Sequence, residues 1–328
     1  MSGDDDVAAV VAVEEKLHHC ASCGRAEIDD IKLKDCKSCD LVRYCSDECE
    51  ANHKSQHEED CKKRAAELRD ELLFKQPDGT HLGDCPICML PLSNDDDSKC
   101  IIRPCCCNYI CDGCDHQRAK LADEEGRPYP ECPYCREPVP TGENILGSLT
   151  RKLLKRAKTN DPEAMCQMGH YLYGKGDYIG AIEWHTKAAE LGHASAHYHL
   201  ARSYRDGEGV EQDVGKEVYH LEEAAIDGHP DARHDLSIHE VRKGNMERAV
   251  KHLIIAANLG QEESMQILTH IFKVEGTEGG RRSFSKEDFA ATLRGHHAAV
   301  KATKSPLREE AAAFHRRQKT YENLPLRG

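Results

Sequence analysis

Eight side chains that bind metals well recur in pairs between Cys20 and Cys61: Cys20 with Cys23, Cys36 with Cys39, Cys45 with Cys49, and His57 with Cys61. Two cysteines separated by two residues present both thiolates to one ion from a single tight turn. Tetrahedral Zn²⁺ then takes two more ligands from elsewhere in the chain. Four pairs make two complete sites. The segment is poor in apolar residues, so the metal must supply much of its folding free energy, on the order of 10 kcal/mol per structural ion. His57 lies four residues before Cys61, on the same face of a helix, and His53 is its rival. A disulfide framework is the competing reading; it needs a secretory context that the acidic start does not suggest.

A second cysteine group follows. It contains Cys85-Pro86-Ile87-Cys88, the run Cys105-Cys106-Cys107, Cys111 with Cys114, and Cys132-Pro133-Tyr134-Cys135. Three C-x-x-C pairs and a cysteine-rich corner again offer enough ligands for two ions. The alternative is a degenerate half-site with one ion bound.

The first pattern, including the Tyr44-Cys45 step, closely resembles the MYND finger. That resemblance covers about forty residues. It implies interleaved pairs, with one ion held by Cys20, Cys23, Cys45 and Cys49 and the other by Cys36, Cys39, His57 and Cys61. It also favours His57 over His53. The second group resembles a RING finger over about fifty residues. The resemblance implies one ion on Cys85, Cys88, Cys111 and Cys114, and a second on Cys132, Cys135 and two thiolates of the triple cysteine. Asn108 stands where many RING fingers carry a histidine, and Asn is a poor zinc ligand. Cys105 with Cys106 are therefore preferred, and Cys107 is held in reserve. In RING ligases an apolar residue in the first pair, a proline in the last pair and a cation after the last cysteine contact a ubiquitin-conjugating enzyme; Ile87, Pro133 and Arg136 match. The plainer reading makes Ile87 a core residue, Pro133 a shaper of the turn and Arg136 a solvated charge. Some MYND proteins are lysine methyltransferases, whose cofactor-binding segments surround the finger. Only about twenty residues precede Cys20 here.

These ligands need a frame, and the chain has 328 residues to build one, enough for two or more domains. Its formal net charge is −13 and only 5% of its residues are aromatic. Nucleic-acid backbone calls for a basic surface, so DNA and RNA are not expected partners. No apolar run approaches the roughly 18 residues of a membrane span, and the start lacks the basic character of a signal peptide. An intracellular location, cytoplasmic or nuclear, is expected. All but one of the 18 cysteines fall between Cys20 and Cys135, the exception being Cys166. The second half is therefore built differently.

That half repeats itself. Ala188-Ala189-Glu190-Leu191-Gly192 recurs as Ala224-Ala225-Ile226-Asp227-Gly228 and as Ala256-Ala257-Asn258-Leu259-Gly260. Ala164, Ala196, Ala232 and Ser264 mark a second register. A period in the thirties means a solenoid of helix pairs, with alanines allowing close helix approach and each glycine ending a helix in the left-handed region. Asp161-Pro162 starts the first helix, and Ser285 with Asp288 forms a capping-box pattern in a fourth, weaker unit that carries the Gly276–Gly280 loop. The endings resemble Sel1-like repeats, relatives of the tetratricopeptide repeats.

The expected fold is multidomain: two small zinc-stabilised fingers followed by an all-α helix-pair solenoid. The expected segments are an acidic tail (1–19), a MYND-type finger (20–61), a helical linker (62–84), a RING-like finger (85–136), a linker (137–160), Sel1-like repeats (161–304) and a helix closing the solenoid end (305–328). Trp184 reads as repeat core, Cys166 as buried rather than reactive, and the histidines from 193 to 239 and at 296–297 as packing or solvated residues without ligand spacing. There is no Gly-rich phosphate loop, nucleophile elbow or His-Glu-x-x-His. The expected function is a zinc-binding protein–protein adaptor; the alternative is a RING-type ubiquitin ligase whose repeats recruit substrate.

Overall fold

The protein was studied as a computed structural model. It describes residues 19–27, 31–93, 100–126, 131–138, 145–277 and 283–322. Apart from His19, the expected acidic tail lies outside these residues, as do parts of the 137–160 linker and of the Gly276–Gly280 loop. The chain forms two compact units, residues 1–75 and 76–328.

In the first unit, strands β1 (Lys34–Asp35) and β2 (Arg43–Tyr44) pair antiparallel, with Lys34 opposite Tyr44. Helix α1 (Asp47–Leu73) follows. Ser46 caps it, its Oγ accepting from the Cys49 amide at 3.2 Å, and Asp47, Glu48 and Glu50 suit the positive end of the helix dipole. Only His57 and Leu73 of this 27-residue helix are buried. Packing therefore stabilises it weakly. Surface pairs such as Lys62–Glu58 (2.5 Å) add little, and Arg64 reaches both Asp40 oxygens at 2.7 and 2.9 Å. The finger's apolar core is Cys20, Leu33 and Tyr44. The stretch expected as a linker from residue 62 is the second half of this one helix, since no break falls at Cys61.

The second unit begins with a hairpin and a helix. Strands β3 (Cys100–Arg103) and β4 (Asn108–Cys111) pair antiparallel with Cys100 opposite Cys111, and α2 (Asp112–Glu124) follows directly. Cys85, Leu92, Cys106, Ile110, Cys111, Cys114 and Cys132 form its core.

Helices then alternate: α3 (Ile145–Ala157), α4 (Pro162–Tyr173), α5 (Tyr178–Glu190), α6 (Ala194–Asp206), α7 (Val214–Ile226), α8 (Pro230–Arg242), α9 (Met246–Asn258), α10 (Glu262–Thr277) and α11 (Lys286–Ala302). From α4 onward they pair as hairpins, and each hairpin packs on the next. The alanine registers are the seams. Ala164, Ala196, Ala232, Ser264, Ala188, Ala224, Ala225, Ala256 and Ala257 are all fully buried. Three helices end identically. Gly192, Gly228 and Gly260 have φ of 78°, 82° and 93°, and the amide after each returns to the first alanine carbonyl (His193 to Ala188, 3.1 Å; His229 to Ala224, 3.0 Å; Gln261 to Ala256, 3.1 Å). These are Schellman endings, which only glycine enters without strain. The Ser285–Asp288 capping box forms at α11.

Helix α12 (Pro306–Glu322) corrects an expectation. Its main packing is on α2, beside the second cysteine group, rather than on the solenoid end. Lys120 meets Glu310 at 2.8 Å, and Asp112 meets His315 at 3.1 Å. Gly113 permits the approach, because a Cβ there would lie 2.7 Å from the Arg308 amide nitrogen and 2.8 Å from the Leu307 carbonyl carbon. Helix propensity alone would make Gly113→Ala stabilising. Backbone crowding reverses the sign, and we expect a loss of about 1–3 kcal/mol with release of α12. Limited proteolysis of the variant should cleave α12 early while zinc content stays unchanged. Unaltered protection would contradict this packing.

Candidate metal centres

Three of the C-x-x-C pairs fold into the same local structure. In each, the residue after the second cysteine has positive φ: Gly24 (72°), Met89 (54°) and Arg136 (61°). Its amide donates back to the first cysteine's carbonyl, at 2.8, 2.9 and 2.9 Å respectively. The first cysteine's amide donates in turn to the carbonyl of Arg25, Leu90 or Glu137. The amides between the two sulfurs are thereby turned towards them. Burial opposes ionisation of Cys20, yet the backbone groups of Cys23, Cys45 and Ser22 hold its thiol down to about 6. Cys85 is held down to about 7 in the same way, against burial, by the Cys111, Cys88 and Ile87 backbone. A thiolate is the ligand form.

Four clusters result, each with its ligand atoms within 4.8 Å of one another: Cys20, Cys23, Cys45, Cys49; Cys36, Cys39, His57, Cys61; Cys85, Cys88, Cys111, Cys114; and Cys105, Cys106, Cys132, Cys135. Sulfur–sulfur distances are 3.6 Å for Cys23–Cys45 and Cys45–Cys49, 3.7 Å for Cys36–Cys61 and Cys88–Cys111, 3.8 Å for Cys106–Cys132 and 3.4 Å for Cys105–Cys135. His57 Nε2 lies 3.1 Å from Cys39 Sγ. A tetrahedron with Zn–S arms of about 2.3 Å has edges of about 3.8 Å, so the donor sets fit zinc in both size and softness.

The structure also sorts the ambiguous residues. His53 stacks on His57 and pairs with the Tyr44 hydroxyl at 3.1 Å, so it stands outside the cluster. Cys107 turns away from Cys105 and Cys106. It packs with Leu153, Ala157, Ala164 and their neighbours in the solenoid core, and burial pushes its thiol up to about 12. The Asn108 side-chain amide donates to the Cys106 carbonyl at 3.2 Å. Cys100 sits on β3, outside every cluster.

Known proteins share both halves of this arrangement. The MYND finger model matches residues 20–61, and the Sel1 repeat model matches residues 162–193, 194–229 and 237–261. The chain carries a MYND finger and Sel1 repeats. Among solved structures it is similar to a Sel1 repeat protein from Oxalobacter formigenes (29% identity, TM-score 0.39, 48% of this chain and 65% of that one). It is also similar to c5321, a protective antigen of uropathogenic Escherichia coli with an SLR fold (26% identity, TM-score 0.37, 46% and 33%). The chain spans less than two-thirds of the length of either. No curated protein matches it. The fourth hairpin, α10 with α11, packs on α9 and lies outside the matched residues.

The Sel1 solenoid and the second cysteine group share one unit and are joined by specific contacts. Tyr109 donates to Glu163 at 2.9 Å and accepts from Gln167 at 3.2 Å. Arg308 of α12 donates to the Pro91 carbonyl (2.6 Å), the Leu90 carbonyl (3.1 Å) and Cys88 Sγ (3.5 Å). A guanidinium there offsets the negative charge of a four-thiolate site. No sequence signal points to Arg308. Ile87 is 42% exposed, Arg136 is exposed and Pro133 is half-buried. A groove of about 770 Å³ opens on the same unit, lined by Gln76 to Thr80, Asn258 to Gln261 and residues of α11 such as Ala298. No helix among the described residues is long and apolar enough to cross a membrane.

The Sel1 histidines divide between the two roles expected of them. His197, His229, His239 and His296 are buried packing residues, not solvated ones. Cys166 is fully buried, but it is not isolated: its sulfur groups with His170 and His199 ring nitrogens within 4.8 Å.

Proposed function

We propose that the chain is a zinc-dependent protein-interaction adaptor, holding two ions in the MYND finger and two in the RING-like second finger. The observation that carries this reading is the presence, in separate compact units of one chain, of two modules from protein-binding families. The MYND finger takes one partner, and the groove beside α9 and α11 takes another. Bivalent engagement raises avidity with no new contact. Proximity labelling tests this with three proteins: wild type, Cys45→Ser and Ala298→Arg, the last an exposed groove residue. Each variant should lose a different subset of labelled proteins. Loss of the same subset by both, or of none, would end the adaptor reading.

The exposure of Ile87 and Arg136 favours a second reading, a RING-type ubiquitin ligase. Such ligases hold a charged conjugating enzyme in a reactive pose. Ile87→Ala should then weaken binding of the enzyme, loaded or free. Arg136→Ala should spare free-enzyme binding and slow ubiquitin discharge on the order of tenfold, the effect of losing a charge-assisted hydrogen bond. Zinc content should hold in both. Absence of discharge across a broad enzyme panel, with zinc fully bound, leaves the adaptor alone.

A further inference from the structure

Three metal-binding side chains meet inside the first Sel1 hairpins, far in sequence from either finger. Cys166 and His170 stand at i and i+4 on α4, on one helical face. Cys166 Sγ lies 4.0 Å from His170 Nε2. His199 comes from α6, where it occupies the position that Gln167 occupies in the preceding repeat, so stacking one hairpin on the next brings its ring onto the same seam. Nε2 of His199 faces Nε2 of His170 directly. Two imidazole nitrogens can face each other only across a proton or a cation.

His185, from α5, packs beside the cluster. It is 2% exposed, and neither ring nitrogen finds a side-chain hydrogen-bond partner among the described residues. The ring stacks on His199 (centroids 5.1 Å apart, 20° between planes) and meets His170 edge-on (5.5 Å, 74°). Gly169 makes room for it: a Cβ there would lie 2.3 Å from the His185 ring. The chain thus gives up a side chain on α4 to admit an imidazole, whereas an apolar side chain would fill an alanine seam without burying polar atoms.

We propose that Cys166, His170 and His199 bind a zinc-class divalent cation, with His185 beside them as the fourth donor. One thiolate and two or three imidazoles suit Zn²⁺ and its close analogues rather than hard cations such as Mg²⁺ or Ca²⁺. The bound ion staples α4, α5 and α6 together, at the end of the solenoid that carries the second finger.

The site is distinguishable from the fingers by its donors, which contain one sulfur where every finger site has three or four. Full-length protein loaded with cadmium-113 should give an NMR resonance of nitrogen-rich, single-sulfur type, separate from the sulfur-rich finger signals. A wild-type spectrum with sulfur-rich resonances only would overturn the proposal. Cys166→Ala, which places alanine in an alanine seam, should abolish that one resonance and lower bound zinc by one ion per chain. Equal zinc in wild type and a folded Cys166→Ala, judged by circular dichroism and Trp184 emission, would overturn it equally. The wild-type spectrum decides the matter by itself should the variant not fold.

Discussion

Cys45→Ser should unfold the first finger and leave the Sel1 solenoid standing. Cys45 shares its cluster with Cys20, Cys23 and Cys49, and a serine hydroxyl is a weak zinc ligand. Loss of a structural ion removes on the order of 10 kcal/mol. The apolar core of Cys20, Leu33 and Tyr44 cannot offset that. Helix α1 suffers with it, since only His57 and Leu73 of its residues are buried and its ligands Cys49, His57 and Cys61 supply much of its tie to the finger, beside the Arg64–Asp40 and His53–Tyr44 contacts. The solenoid has a core of its own in the other compact unit. The chain's single tryptophan, Trp184, packs against that core and reports on it alone. Its thermal transition should stay within a degree or two of wild type while zinc content falls and far-UV helical signal drops by the share of α1. A matching shift of the Trp184 transition would show that the units do not fold independently.

Local spacing makes the MYND finger and the Sel1 repeats readable in the amino-acid sequence. A C-x-x-C turn is complete within five residues, and its backbone return from Gly24 to Cys20 involves nothing further away. Repeats are similarly local. Each Ala-Ala-x-x-Gly ending states both a tight seam and a left-handed stop, and the buried alanines and the φ of Gly192, Gly228 and Gly260 follow from those residues.

The features that escape a reading of the sequence are decided across long separations. Three consecutive cysteines are equivalent in sequence; Cys107 is excluded because Leu153 and Ala157, some fifty residues away, build an apolar bed for it. Helix α12 is legible as a helix, but its partner is not. Gly113 and Arg308 select α2 over the solenoid end, and neither residue announces that choice. Cys166 and His170 show ligand spacing on their own. His199 joins them only when adjacent repeats are stacked in register.

Ala225→Asp is the sharpest test of the stack itself. Ala225 is fully buried in the seam of α7. A buried carboxylate there costs several kcal/mol unless it is paired, protonated or expelled. Any of these responses separates neighbouring hairpins. In a solenoid each repeat depends on its neighbours, so a break in the middle removes interfaces on both sides. At about 2–4 °C per kcal/mol for a unit of this size, the Trp184 transition should fall by about 10 °C or more. The control is Ala313→Asp. Ala313 is half-buried on α12, which packs chiefly on α2, and a change there should move the same transition by no more than about 2 °C. Equal losses at the two positions would mean that α7 is not the middle of a cooperative stack, and the repeat register read from Gly192, Gly228 and Gly260 would have to be abandoned.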